Sequence, residues 1–149
     1  MEPETGKLIK VSDYIAEFLY AQGVRCTFLV VGGMLTHIVD SIYRQGKIDL
    51  VNTHHEQAAA FAAETLGRVT GVPGVAMATS GPGATNLLTG IGSCYFDSSP
   101  AVFITGQVNR EEQKKSLPIR QLGFQERSIS VISAVTLSRL VERQDVLSG

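Results

Sequence analysis

Apolar positions along the chain switch repeatedly between helical spacing and short unbroken runs. Ile15, Phe18 and Leu19 recur at helical intervals behind Ser12, which is suited to capping a helix, and Gly23 closes that helix. The run Cys26-Thr27-Phe28-Leu29-Val30-Val31 is almost wholly apolar and reads as a strand buried on both faces. Gly32 and Gly33 break it. Met34, Leu35, Ile38, Val39 and Ile42 then form the apolar stripe of a second helix, which Gly46 ends. Residues 48–53 read as a second strand.

The alternation continues. His54, His55 and Glu56 lead into an alanine-rich helix reaching about Val69, and the turn Gly71-Val72-Pro73-Gly74 follows. Residues 75–79 form a third strand and residues 84–95 a helix beyond the turn Ser80-Gly81-Pro82-Gly83. Residues 101–105 make a fourth strand, ended by Gly106. Strands alternating with helices through short connections imply right-handed crossovers and a mostly parallel sheet covered on both faces, a three-layer α/β/α domain. Residues 107–122 are polar and aperiodic, and predict a long surface loop. Residues 125–134 predict a short helix, residues 135–141 a last strand, and residues 142–149 the start of a linker.

Composition adds limits. With 149 residues, 44% hydrophobic and 18% charged, the chain is the size of one globular domain able to bury a core. A net charge of -1 with scattered basic residues gives no reason to expect nucleic acid or an anionic membrane as partner. Lys114 and Lys115 read as a solvated pair. No apolar run approaches the roughly 20 residues that span a bilayer, and residues 1–10 lack a signal-peptide core. Cys26 and Cys94 stand far apart in apolar surroundings, consistent with small hydrophobes in a reducing, cytoplasmic setting.

Ligands of parallel sheets bind beyond the carboxyl ends of the strands. That rule selects four loops: Gly32-Gly33, His54-His55-Glu56, residues 80–86, and Gly106-Gln107. Three of them carry glycine, which lets backbone approach a ligand closely. The other carries Glu56, at a strand end and a helix start within a stretch of alanines. The helix amino terminus favours its anion and burial its neutral form, so this carboxyl group is suited to sharing a proton with a ligand. The plainer alternative is a glutamate that only stabilises its helix. His55-Glu56-Gln57-Ala58-Ala59 opens like a zinc-protease motif but has alanine where the second histidine belongs, so no metal site is expected from these residues. The turn Thr79-Ser80-Gly81-Pro82-Gly83-Ala84-Thr85-Asn86 has phosphate-loop glycines without the P-loop lysine or a dinucleotide fingerprint. Tight packing without ligand contact accounts for it equally well. The small residues Ala58, Ala59, Ala60, Ala62 and Ala63 fit close packing on the sheet, on another subunit, or on both.

In combination the segments resemble one family. His55-Glu56-Gln57-Ala58, Phe61-Ala62-Ala63-Glu64, Gly67-Arg68 and Thr70-Gly71 are followed by the run from Ala78 to Asn86. Asp97-Ser98, Ile104-Thr105-Gly106-Gln107-Val108 and Gly123-Phe124-Gln125-Glu126 come next, in order. These motifs resemble the pyrimidine-binding domain of thiamine diphosphate enzymes of the acetolactate synthase-like family.

The resemblance implies that Glu56 hydrogen-bonds N1′ of the cofactor's aminopyrimidine and is the catalytic carboxylate of 2-keto acid decarboxylation and carboligation. It implies cofactor contacts from Gly32, Gly33, Thr79, Ser80, Gly81, Pro82 and Asn86. His55, Gln107 and Gln125 fall near the substrate or a neighbouring subunit. Members hold the diphosphate and Mg2+ on a separate domain through a Gly-Asp-Gly motif, which does not occur in these residues. They also carry a central domain and form their active sites between chains. The chain is therefore expected to be inactive alone, pairing as a homodimer or tetramer and relying on a diphosphate-binding domain elsewhere. The alternatives are the small subunit of a split, sulfopyruvate decarboxylase-like enzyme, a non-catalytic dimerisation module, or a nucleotide-binding regulator.

Overall fold

A computed structural model describes residues 8–107. The elements run α1 (Val11–Ala21), β1 (Cys26–Leu29), a 3-10 turn (Gly33–Leu35), α2 (Thr36–Gln45), β2 (Asp49–Asn52) and α3 (Glu56–Thr70), then β3 (Gly74–Ala78), α4 (Pro82–Asn86), α5 (Leu88–Asp97) and β4 (Ala101–Thr105). The four strands form one sheet in the order β2-β1-β3-β4, and every pairing is parallel. Phe28 pairs with Val51 on one side and Ala76 on the other, while Met77 pairs with Ile104.

Side chains of a strand point alternately to opposite faces, and β3 divides the core accordingly. Val75 and Met77 pack with Leu29, Leu35, Ile38 and Ile42 and with Ala16 and Leu19, so that α1 and α2 cover one face. Ala76 and Ala78 pack with Ala59, Ala60, Ala63, Leu87, Ile91 and Cys94, so that α3 and α5 cover the other. All five residues of β3 are buried, as a strand between two helical layers requires. This is the three-layer α/β/α arrangement. Leu29, Leu35, Ile42 and Met77 are among the largest fully buried side chains, each worth about 1.5–3 kcal/mol of transfer free energy.

The second face is built for closeness. A Cβ added at Gly74 would lie 1.9 Å from the carbonyl oxygen of Ala63, and one at Gly90 would lie 2.4 Å from the Cβ of Ala60. The alanines thus divide. Ala59, Ala60 and Ala63 seat α3 against the sheet and α5, whereas Ala58 and Phe61 are exposed.

Some expectations need correction. Ser12 lies inside α1, which starts without a side-chain cap at Lys10, and its hydroxyl accepts a 2.9 Å bond from Ser41 of α2. Phe18 is half exposed and stacks on Tyr14 rather than entering the core. Strand β1 stops at Leu29, leaving Val31 exposed on the way to the 3-10 turn. The helix over 84–95 is two helices: the Leu87 amide bonds to the carbonyl of Ala84, three residues back, and this tight step separates α4 from α5. The predicted loop, helix, strand and linker beyond Gln107, Gln125 included, lie outside the described residues. Among the described residues no helix is long and apolar enough to cross a membrane.

Candidate functional site

The carboxyl ends of the strands meet along one edge. At the end of β2, the Thr53 amide donates to the carbonyl of Leu29 at 2.8 Å, and its hydroxyl donates to the carbonyl of His55 at 3.0 Å. The chain is thereby fixed just before α3. His55 is extended, with φ -157°, and caps the helix: its Nδ1 accepts from the Gln57 amide at 3.1 Å. An acceptor Nδ1 leaves the proton of a neutral imidazole on Nε2, directed away from the cap. His54 and His55 are both exposed.

Glu56 is the first residue of α3 and is half-buried. Its Oε2 accepts a 2.9 Å hydrogen bond from Nδ2 of Asn86, at the end of α4. Its Oε1 lies 3.3 Å from where a Cβ of Gly83 would stand. The carboxylate from the β2 loop and the glycine turn from the β3 loop are therefore one unit, although 30 residues separate the hydrogen-bonded pair.

The turn itself is determined by sequence. Thr79 and the buried Ser80 follow β3, and Gly81 adopts φ 84° and ψ -139°, a conformation open essentially to glycine. Pro82 then begins α4, where its missing N–H costs nothing. The Thr85 hydroxyl donates to the Pro82 carbonyl at 2.9 Å and its amide to the Gly81 carbonyl at 3.0 Å.

The other two loops close on their neighbours. A Cβ at Gly32 would lie 2.4 Å from that of Thr79, and one at Gly106 would lie 2.4 Å from that of Met34. Packing against protein therefore explains these two glycines, whereas a Cβ at Gly33 would meet nothing within 4 Å. The Gly106 amide donates to the carbonyl of Ala78 at 2.9 Å, extending the β3–β4 ladder up to the exposed Gln107. The edge thus assembles Gly32, Thr79, Gly83, Glu56 and Asn86, with His55 and Gln107 exposed on its loops.

The motif matches also include a second carboxylate whose setting the sequence did not disclose. Glu64 is 3% exposed. Its Oε1 accepts from Ser93 at 3.0 Å, from Ser99 at 3.3 Å and from Arg68 at 3.4 Å, and Arg68 also reaches Asp97 at 3.2 Å. This network ties α3 to α5 and to the turn before β4. The spacing of Glu64 and Arg68, four residues apart on a helix, was its one visible signal.

Residues 9–132 match the family model described as thiamine pyrophosphate enzyme, N-terminal TPP binding domain. The chain is similar to the probable acetolactate synthase large subunit of Methanocaldococcus jannaschii, 45% identical over 100 residues that cover 67% of this chain and 17% of that protein. It is 43% identical over 102 residues to the acetolactate synthase isozyme 3 large subunit of Escherichia coli, covering 68% and 18%. With the chloroplastic acetolactate synthase 2 of Nicotiana tabacum it shares 48% identity over 101 residues, covering 68% and 15%. The chain spans less than a fifth of the length of these relatives.

Proposed function

The chain belongs to the thiamine pyrophosphate enzyme family through its N-terminal TPP-binding domain, and on that premise we propose that it is the pyrimidine-binding half of a 2-keto acid decarboxylase or carboligase. Glu56 is its catalytic carboxylate. The observation that carries this reading is the joint placement of Glu56 and Asn86 over Gly83 at the carboxyl edge of the sheet.

The residues present fit an aminopyrimidine. A flat ring needs a carboxyl partner at its edge, and Gly83, packed closely against Thr79 and Ala78, lets the glycine turn lie directly beside Oε1 of Glu56. When bound, the cofactor supplies an electron sink for the electron pair released as a 2-keto acid loses carbon dioxide. Glu56 holds the proton that passes between its carboxyl group and ring nitrogen N1′. Thr79, Ser80, Gly81 and Pro82 form the wall beside the ring, and Gly33 offers an open backbone approach. His55 and Gln107 lie toward the substrate or a second subunit, and the family resemblance gives Gln125 the same role. Diphosphate and Mg2+ are held by a separate domain, the chains pair through the pyrimidine domain as a homodimer or tetramer, and the active site is completed between chains, in the cytoplasm. The similarity to acetolactate synthases supports a small 2-keto acid as donor.

The test uses the enzyme carrying this chain, assembled with its diphosphate-binding domain, thiamine diphosphate and magnesium. Pyruvate consumption by Glu56→Gln is expected to fall about 100-fold or more, because an amide retains the shape but cannot exchange the proton. An unchanged rate would leave Glu56 as a helix-start residue and end the proposal.

A further inference from the structure

We propose that Asn86 is a positioning residue that gives the two oxygens of Glu56 different tasks, Oε2 to the protein and Oε1 to the pyrimidine nitrogen; this rests on the reading of Glu56 above. A glutamate at a helix start can turn its terminal carboxylate freely, and its two oxygens are then equivalent. Here they are not. Oε2 is bonded to Asn86 Nδ2 at 2.9 Å, whereas Oε1 lies on the side of Gly83, 3.3 Å from where a Cβ would stand there.

The orientation of the amide follows from chemistry. A carboxylate only accepts hydrogen bonds, so Asn86 must present its nitrogen to Glu56. Asn86 is anchored in turn, because it ends α4 and is followed by the fully buried Leu87. One N–H of its amide is committed to Glu56, and through that bond Asn86 acts on the ligand by way of the carboxylate. The same bond couples the two strand-end loops, so a shift of the glycine turn would rotate the carboxylate with it.

The experiment compares two ligands by titration calorimetry on the assembled enzyme with magnesium: thiamine diphosphate, and an analogue with CH in place of ring nitrogen N1′. The ratio of their affinities reads the Oε1–N1′ contact alone. The unaltered enzyme is expected to prefer the natural cofactor by about tenfold or more, as for a hydrogen bond to a charged group. Asn86→Ala and Asn86→Leu, whose branched side chain has the shape of asparagine without its donor, are both expected to bring the ratio near one. A merely structural role would weaken both ligands equally and leave the ratio unchanged. That result in Asn86→Leu, which keeps the site filled should the alanine variant misfold, would overturn the inference. Glu56→Ala separates the two ideas. If it removes the preference while the Asn86 variants keep it, only the role of Asn86 falls. If Glu56→Ala keeps the preference, or the unaltered enzyme has none, the reading of Glu56 falls first.

Discussion

At position 83 a single hydrogen atom decides what Glu56 can do. A Cβ there would stand 3.0 Å from Cγ2 of Thr79 and 3.3 Å from Oε1 of Glu56, so both neighbours would have to give by a few tenths of an ångström. Stability should change little, because alanine in a helix gains up to about 1 kcal/mol over glycine while crowding costs about 1–3 kcal/mol. Activity should change more, since displacement of a positioned catalytic group by about 1 Å can cost 100-fold. Gly83→Ala is therefore expected to lower kcat/KM by about tenfold or more with a small shift in Tm. Adding Thr79→Ser, which removes Cγ2, should recover part of it. Equal kcat/KM for Gly83→Ala and the parent would show that Oε1 does not face the reaction. The placement of Glu56 and the glycine turn at strand ends was legible in the sequence, because alternating strands and helices bring the carboxyl ends of a parallel sheet to one edge. The bond from Asn86 was not legible, since two helices that cross in space must be placed before the pair can be seen. The His55 cap was not legible either, because an imidazole nitrogen there does the work usually done by a serine or aspartate oxygen.

Helix α3 shows what periodicity reveals and what it leaves out. The four described strands and their helices follow from the change between helical and extended apolar spacing, and the parallel order follows from their alternation. The step at Leu87 does not, because one i→i+3 bond hardly disturbs the spacing of the apolar residues on either side. Nor does composition say which side of an alanine-rich helix meets what. Ala60 packs so closely on Gly90 that a methyl group added there would overlap the Ala60 Cβ at 2.4 Å. Gly90→Ala is accordingly expected to destabilise the protein by about 1–3 kcal/mol, since both partners belong to rigid helices and neither can swing aside. For a domain of 149 residues that is a fall in Tm of about 2–4 °C per kcal/mol. Ala60→Gly in the same chain should restore most of the loss. A Gly90→Ala variant with unchanged Tm would mean that α3 and α5 stand farther apart.

Across the whole molecule, the two layers should fail at opposite ends of the pH scale. On the α1–α2 face, the Ser41 hydroxyl together with Arg44 and Lys10 holds the Asp13 carboxyl below its usual 3.8, and Arg44 does the same for Asp40. Groups depressed in this way stabilise the fold above their unfolded values, and that support is lost as pH falls through the folded ones. Both carboxylates are at the surface, so the effect should be small and weakened by salt. The α3–α5 face responds to alkali. Burial, with the Glu64 carboxylate second, raises the Cys94 thiol from 9.0 to about 12. Below pH 9 folded and unfolded chains both keep this proton, and the contribution is fully present. Between pH 9 and 12 only the unfolded chain releases it, so stability falls as pH rises, by up to about 1.4 kcal/mol for each pH unit. The Cys26 thiol, raised by burial and by Asp49, acts in the same direction. Urea unfolding at pH 8 and pH 10.5 is thus expected to show a larger alkaline loss in the parent than in Cys94→Ala, whatever the substitution costs at pH 8. Parallel losses in the two proteins would mean that the Cys94 thiolate is already tolerated inside the fold, and that the layer carrying Glu64 is open to water.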